Sequence, residues 1–276
     1  MNNNINKPLK WHGGKSYLAK WILSHFPPRD KYTHFNETHA GGLSVLFAHD
    51  PEGKSEAVCD ISSELTDFWR VLAKTPARML RELWGTPLSE SVWTAEESAL
   101  ADSDMVRRAT AFFIRYRQSR QGLGRDYATP TRRTRRGINE NVSAWLSAID
   151  GLQEAHERLI RVEIRCCDAV KFIRQYDHEK ALFYCDPPYT PDTRFSKDVY
   201  QHEMTIDHHV ELLSRLRSIK GMFILSGYHS ELYDRWASEN GFRCVEKVID
   251  NKASSKKVKD KKREVLWMNY GGCSEA

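Results

Sequence analysis

The sequence has no apolar run long enough to cross a membrane. Nothing in its 276 residues approaches the roughly eighteen uninterrupted apolar residues of a transmembrane helix. The segment from Met1 to Lys10 is polar and rich in asparagine, without the apolar core of a secretory signal peptide. Since 40% of the residues are hydrophobic, the composition predicts a globular protein that we expect to be cytoplasmic, neither secreted nor inserted in a membrane.

The six cysteines follow no metal-binding pattern. No two are spaced as C-x-x-C, and no pair of histidines has the spacing that completes a tetrahedral zinc site. We therefore predict reduced cysteines and no metal. The adjacent Cys166 and Cys167 are interpreted as small buried side chains at the end of a strand.

Two nucleotide-binding fingerprints are absent. The segment from Trp11 to Ser16 ends like a P-loop, but Leu9 stands where that motif needs glycine. What remains is a glycine turn with a cation at a helix start, which can hold a carboxylate or a phosphate. The segment from Phe35 to Ser44 runs from a strand into Gly41 and Gly42 without the G-x-G-x-x-G pattern. An ATPase and an NAD enzyme are therefore disfavoured, although glycines at this place let a cofactor approach the backbone closely.

Strand-like and helix-like segments alternate at both ends of the chain, as in doubly wound α/β domains. From about residue 75 to residue 159 long helical patterns dominate instead. We therefore predict an α/β domain formed by residues 1–74 and 160–276, with a mostly helical domain inserted at residues 75–159. Strand patterns at residues 244–249 and 264–270, with a Lys-rich loop between them, predict a terminal hairpin.

The positive charge is concentrated in the helical stretch. The net charge of the chain is +5, but the segment from Arg107 to Arg136 holds ten arginines and a single acid, Asp126. A cluster of this size predicts a surface for a polyanion, and the alternative is a solvated charged face. The segment from Gln121 to Gly137 is typical of an irregular loop or a hairpin. Six of the arginines lie in or beside it: Arg120, Arg125, Arg132, Arg133, Arg135 and Arg136.

The sharpest motif is Asp186-Pro187-Pro188-Tyr189, directly after the apolar strand from Ala181 to Cys185. Ligands in open α/β sheets gather at the carboxyl ends of strands. Proline has no N–H and an ionised aspartate has no donor, so the motif offers acceptors beside an aromatic ring. This chemistry suits methylation of a planar aromatic amine, whose N–H groups can be bonded while its ring stacks on Tyr189. The alternative is a strand-terminating turn.

Asp60 ends the strand that follows the glycine loop, about twenty residues further along the chain. An acid at such a place can accept hydrogen bonds from ribose hydroxyls, as in dinucleotide-binding folds. A strand-end aspartate is more often a helix cap, and that alternative stays open.

Taken in order, these blocks resemble the Dam-like adenine-specific DNA methyltransferases of the alpha group. The resemblance spans nearly the whole chain. Its blocks are Leu9-Lys10-Trp11 with Gly13-Gly14-Lys15, the loop from Glu37 to Gly42, Asp60, Cys185 to Tyr189, Leu225-Ser226-Gly227-Tyr228, and Arg263-Glu264-Val265-Leu266-Trp267.

The resemblance implies a Rossmann-like methyltransferase domain with a mixed sheet that binds S-adenosylmethionine, and an inserted target-recognition domain. It implies methyl transfer by direct in-line displacement to an adenine flipped out of double-stranded DNA, without a metal or an obligate protein partner. The implied catalytic residues are Asp186, Pro187, Pro188 and Tyr189. The implied cofactor-binding residues are Trp11, Lys15, Glu37, Gly41, Gly42, Asp60, Asp168 and Asp186. With DNA as the polyanion, the charge distribution predicts that the six arginines named above bind it, together with Lys256 and Lys257 of the Lys-rich loop.

Two departures from the family pattern bear on function. Thr38-His39 stands where the family has Pro-Phe, and a GATC-reading loop is not recognisable between Gln118 and Thr134. The target sequence is therefore open, and so is a role inside or outside a restriction system. Alternative activities are methylation of the cytosine amine or another planar amine, and DNA binding without catalysis.

Overall fold

The structure is a computed structural model that describes residues 8–190, 202–250 and 261–271. These residues form two compact units. The first contains residues 8–24, 40–52 and 60–166, and the second contains residues 25–39, 53–59 and the described residues from 167 onward. The helical stretch predicted as an insertion lies in the first unit, which also includes segments from before residue 75. The predicted domain boundaries stay a prediction.

The described strands include a seven-stranded sheet with the order β5-β2-β1-β6-β7-β9-β8. β1 pairs in parallel with β2 and β6, β6 pairs in parallel with β7, and β9 is antiparallel to both β7 and β8. The predicted mixed α/β sheet is therefore confirmed. Its strands are β1 His34–Thr38, β2 Ser55–Asp60, β5 Val162–Cys166, β6 Ala181–Cys185, β7 Met222–Gly227, β8 Arg243–Asp250 and β9 Lys261–Met268.

The register of the second unit brings three strand ends together. Thr38 at the end of β1 pairs with Cys185 at the end of β6, and Cys185 pairs with Leu225 of β7. Because these strands are parallel, the residues that follow β1 and β6 and the last residues of β7 lie along one edge of the sheet. This is the edge at which open α/β sheets bind their ligands.

Three described helices of the second unit cover this sheet. They are α7 Ala169–Tyr176, α8 Ile206–Arg217 and α9 Glu231–Glu239. Each starts at a side-chain cap: Asp168, Thr205 and Ser230 accept backbone N–H groups of the first turn. Buried apolar side chains of the helices pack on strand residues such as Phe183, Phe223 and Trp267. This core fixes the sheet on which the site is built.

The first unit is mainly helical. α2 packs against α5 and α6, and aromatic rings fill the interior, with Phe68 and Phe113 stacked at 5.6 Å. A continuous aromatic core of this kind holds helices rigidly because large rings bury much apolar area. The helices are α1 Ala19–Ser24, α2 Ser63–Lys74, α3 Pro76–Trp84, α4 Glu90–Ala99, α5 Met105–Arg117 and α6 Glu140–Leu159.

The arginine-rich stretch contains a short hairpin at the end of the segment for which an irregular loop or a hairpin was predicted. β3 Thr134–Arg135 pairs in antiparallel fashion with β4 Ile138–Asn139. The two residues at its tip, Arg136 and Gly137, both have positive φ angles, of 55° and 78°. Two successive positive φ values are what a tight two-residue hairpin turn requires. The tip is exposed.

The terminal hairpin is also confirmed, since β8 pairs with β9 from Arg243↔Met268 to Asp250↔Lys261. The interpretation of the cysteine pair is wrong. Cys166 is exposed and Cys167 only partly buried, because β5 is the terminal strand of the sheet order and several of its side chains are partly or fully exposed.

Within the described ranges, no helix combines the length and the apolar character that a membrane crossing needs.

Candidate active site

The Asp-Pro-Pro-Tyr block follows β6 directly. All five residues of β6 are buried, and regular structure stops at Asp186 because neither Pro187 nor Pro188 can donate to a sheet. Asp186 is partly buried. Burial raises the pKa of the adjacent Cys185 thiol to about 12, so the thiol stays neutral. The described backbone therefore holds the carboxylate of Asp186 at the carboxyl end of a rigid, apolar strand.

Tyr189 is held by its hydroxyl group. That hydroxyl donates to Oε1 of Glu264 over 2.8 Å, and the Tyr189 ring lies 4.2 Å from the ring of Tyr228 at an angle of 48°. Burial, with the negative charge of Glu264 next in size, raises the pKa of Tyr189 well above its ordinary value of 10. Tyr189 therefore keeps its proton and acts as a donor. The residue is only partly buried, so part of it remains accessible.

Glu264, on β9, is fully buried. Its Oε1 accepts a second hydrogen bond, of 2.7 Å, from the hydroxyl of Ser226 on β7. Sequence analysis did not assign a role to Glu264, Ser226 or Tyr228, although all three lie in blocks of the family resemblance. A glutamate directly before the apolar run Val265-Leu266-Trp267 was the available signal.

The end of β1 contributes Glu37, Thr38 and His39. Glu37 is buried and pairs in register with Tyr184 of β6. The Oγ1 of Thr38 and the Nδ1 of His39 lie 3.0 Å apart in a hydrogen bond, and His39 has a φ of 53°. Burial lowers the pKa of His39 to about 4, with a smaller contribution from His209. The histidine that replaces the family's phenylalanine is therefore a neutral ring at neutral pH.

Asp168 begins α7. Its Oδ1 accepts the backbone N–H of Lys171 over 3.0 Å, so one carboxylate oxygen caps the helix. A second oxygen remains on the same group for further contacts. The predicted contact of Asp168 with the cofactor stays a prediction.

In the first unit, Asp60 and Trp69 hold the glycine loop. Oδ2 of Asp60 accepts the N–H of Gly41 over 3.0 Å, and its Oδ1 accepts the N–H of Ser62 over 3.0 Å. Nε1 of Trp69 donates to the carbonyl of Gly41 over 3.1 Å. The φ of Gly41 is 46°, a conformation that favours glycine. The sequence indicated no role for Trp69, yet its indole N–H fixes this loop.

Trp11 packs directly on the same loop. A Cβ added at Gly41 would lie 2.7 Å from its Nε1, and one added at Gly42 would lie 3.1 Å from its Cβ. The indole also stacks on Tyr116 of α5, with ring centroids 5.2 Å apart and planes 17° apart. Next to it, Nζ of Lys10 donates to the carbonyl of Ser119 over 2.7 Å. The segment at Lys10 and Trp11 thus connects the glycine loop to the end of α5.

Lys15 lies in the turn before α1 and only 5% of it is exposed. The turn is closed by the N–H of Gly14, which donates to the carbonyl of Trp11 over 3.2 Å. A buried ammonium group needs acceptors or negative charge nearby. The predicted contact of Lys15 with the cofactor stays a prediction.

The structure divides the ten clustered arginines into two sets. Four support the fold: Arg107 pairs with Glu96, Arg108 with Asp67, Arg115 lies 3.5 Å over the Trp93 ring, and Arg117 donates to the carbonyl of Ala144. Burial lowers the pKa of Arg117 to about 10. The other six are exposed, and they are Arg120, Arg125, Arg132, Arg133, Arg135 and Arg136. Lys256 and Lys257, also predicted to bind DNA, lie outside the described residues.

Within the described residues, no group of three or more histidine, cysteine, aspartate or glutamate side chains is arranged to hold a metal ion.

The fold and the site define a class of protein. A mostly parallel sheet with one reversed strand, β9, between β7 and β8 is a Rossmann-like methyltransferase fold, and Asp-Pro-Pro-Tyr ends its central strand β6. The family model for D12 class N6 adenine-specific DNA methyltransferases matches residues 11–255. The chain belongs to this family and is thus an adenine-specific DNA methyltransferase with S-adenosylmethionine as methyl donor.

Solved structures give more distant likenesses. One is a SAM-dependent methyltransferase from Agrobacterium tumefaciens, 13% identical with a TM-score of 0.40, where the match covers 92% of this chain and 61% of that one. Another is a ribosomal protein L11 methylase from Lactobacillus delbrueckii subsp. bulgaricus, 10% identical with a TM-score of 0.37 over 92% and 77% of the two chains. A search of curated protein sequences found no match.

Proposed function

We propose that this enzyme takes an adenine out of duplex DNA and methylates its exocyclic amine at the end of β6. Asp186 and the carbonyl of Pro187 accept hydrogen bonds from the amine, Pro188 keeps the turn rigid, and the base stacks on Tyr189. The observation that carries this proposal is the end of a fully buried strand, which offers acceptors without backbone donors next to a fixed aromatic ring.

The acceptors matter because the lone pair of an aromatic amine is delocalised into its ring. Two hydrogen bonds from the amine to fixed acceptors favour a nitrogen whose lone pair is available for attack. Asp186 is partly buried, where a carboxylate interacts more strongly than in water. The contribution of this chain is therefore to position and polarise the amine.

The residues present in each unit fit S-adenosylmethionine. In the first unit, Asp60 and Trp11 fix the glycine loop, because Gly41 and Gly42 let Trp11 pack closely against its backbone. When bound, the cofactor supplies an electrophilic methyl group for direct in-line displacement. We assign cofactor binding to Trp11, Lys15, Glu37, Gly41, Gly42, Asp60, Asp168 and Asp186.

Base flipping follows from access. The amine of a paired adenine is engaged with its partner base inside the stack, so an enzyme that reacts there extrudes the nucleotide into a pocket. The cost of unstacking is offset by new contacts, and a partly accessible tyrosine ring is suited to provide them.

DNA binding is assigned to the helical stretch at residues 75–159, which we propose as the target-recognition domain. Its six exposed arginines lie at the surface of the first unit, and four of them, Arg132, Arg133, Arg135 and Arg136, lie in or directly beside the hairpin. Arginine can read guanine through two hydrogen bonds in the major groove and can also neutralise phosphates. Lys256 and Lys257 are proposed as further phosphate contacts.

Asp186→Ala tests the catalytic assignment. The variant loses an acceptor aimed at the amine, so its methylation rate should fall by on the order of a hundredfold or more, with DNA affinity largely retained. Mass spectrometry of the nucleosides from treated DNA identifies the methylated base. A wild-type rate for the variant would refute the role of Asp186, and N4-methylcytosine in place of N6-methyladenine would show that cytosine is the acceptor.

Single alanine variants at the six exposed arginines test the DNA surface. A base-reading arginine should cost roughly 1–3 kcal/mol on the cognate site and relax preference at one position, whereas a phosphate contact should weaken all sequences alike. Methylation of a randomised-site library and binding at two salt concentrations separate the two. Arg108→Ala is the control, since Arg108 contacts Asp67. If none of the six variants alters sequence preference or salt dependence, the recognition surface lies elsewhere.

A further inference from the structure

The carboxylate of Glu264 connects three neighbouring strands at the catalytic edge. It lies on β9, fully buried, and accepts hydrogen bonds from Ser226 on β7 and from Tyr189 just after β6. These three strands are adjacent in the order β6-β7-β9. The carboxylate is therefore anchored to the sheet before it contacts the catalytic block.

We propose that Glu264 is a positioning residue that sets the orientation of the Tyr189 ring, and so the geometry in which the target base stacks. This inference rests on the proposed function. The Tyr189 hydroxyl is at the far end of the ring from the backbone, so a hydrogen bond of 2.8 Å at that point restricts rotation about χ1. Because a phenolic O–H prefers to lie in the ring plane, the same bond favours ring orientations that direct the O–H at Glu264.

A second contact of the ring, with Tyr228, does not impose the same restriction. Tyr228 lies against Tyr189 at 48°, a tilted contact that leaves freedom to rock. The two prolines before Tyr189 limit the backbone but not the side chain. A buried acceptor tied to the sheet through Ser226 supplies what these contacts lack.

The position of the ring matters for rate more than for affinity. A small displacement of a stacked base moves its amine relative to the acceptors at Asp186, and misplacement of reacting groups by about 1 Å can lower a rate by about a hundredfold. A residue that acts through Tyr189 should therefore change kcat more than the dissociation constants for DNA or S-adenosylmethionine.

Tyr189→Phe, Glu264→Gln and the double variant test the proposal. Single-turnover methylation rates should fall by on the order of 10- to 100-fold in each single variant, and the double variant should be no slower than the slower single one. Tyr270→Phe is a matched control. Tyr270 lies just beyond the end of β9, and the variant removes a tyrosine hydroxyl that donates to the carbonyl of His25. Its melting temperature should fall while its methylation rate stays close to wild type.

Three results would overturn the proposal. The first is a wild-type methylation rate in Tyr189→Phe. The second is a rate loss in the double variant equal to the product of the two single losses. The third is a rate loss in Tyr270→Phe as large as that in Tyr189→Phe. If Glu264→Gln does not fold, Tyr189→Phe carries the test, because it leaves Glu264 intact. The proposed function fails separately, when Asp186→Ala still methylates adenine at the wild-type rate.

Discussion

Gly41→Ala should destabilise the first unit through two effects that can be separated. The φ of 46° at Gly41 is costly for a residue with a side chain, by about 1–2 kcal/mol. In addition, the new Cβ would lie 2.7 Å from Nε1 and 2.8 Å from Cδ1 of Trp11. Trp11 must then move, although it is stacked on Tyr116, and overpacking of this kind costs about 1–3 kcal/mol. The total is about 2–5 kcal/mol.

Gly53→Ala isolates the backbone effect. Its φ is 64°, and a Cβ there meets nothing within 4 Å, so it should cost only about 1–2 kcal/mol. Free energies of unfolding in urea, followed by circular dichroism, give the difference, and calorimetry gives the affinity for S-adenosylmethionine. In a Trp11→Ala background the Gly41→Ala cost should shrink to that of Gly53→Ala. Equal costs for the two glycines in the wild-type background would refute the packing of Trp11 on the loop.

Two further variants address the acids and bases around the site. Asp60→Asn keeps the shape of the side chain but loses one of the two acceptors that hold Gly41 and Ser62. S-adenosylmethionine should therefore bind roughly tenfold more weakly in calorimetry. Unchanged affinity would contradict the role of this carboxylate. In the folded protein the pKa of His39 is about 4, against an ordinary value of 6.5. The unfolded chain therefore takes up the proton first as the pH falls. The free energy of unfolding decreases between pH 6.5 and pH 4 by at most about 3 kcal/mol. His39→Phe should remove this part of the pH dependence of unfolding, and an unchanged slope would show that other groups cause it.

The catalytic strand was predictable because its signals are local. A continuous apolar run followed by two prolines identifies both a buried strand and its end, and the structure has β6 at Ala181–Cys185 as expected. The hairpin at residues 134–139 was also indicated, since Gly137 permits the tight turn that the structure shows. These features depend on residues close together in sequence.

The role of Glu264 was not predictable in the same way. Its two hydroxyl donors are 38 and 75 residues away along the chain, and only the pairing of β7 with β9 brings Ser226 beside it. Sequence patterns do not give that register. Trp69 is a similar case, because its contact with the carbonyl of Gly41 spans 28 residues. Long-range polar contacts are therefore where the sequence analysis fell short.

The arginine cluster shows how burial changes a conclusion drawn from charge. Of its ten arginines, Arg107, Arg108, Arg115 and Arg117 bond to groups inside the first unit, so they are not available to neutralise DNA phosphates. For duplex DNA the logarithm of the binding constant falls with the logarithm of salt concentration by about 0.9 per phosphate neutralised. The six exposed arginines alone can therefore give a slope of at most about 5, and each one that reads a base reduces it.

A slope well above that value would require other cations, and the chain carries them in the lysine-rich segment around Lys256 and Lys257. Removal of those two lysines should then lower the slope by about 2, whereas alanine at Arg115 should leave it unchanged while it destabilises the contact with Trp93.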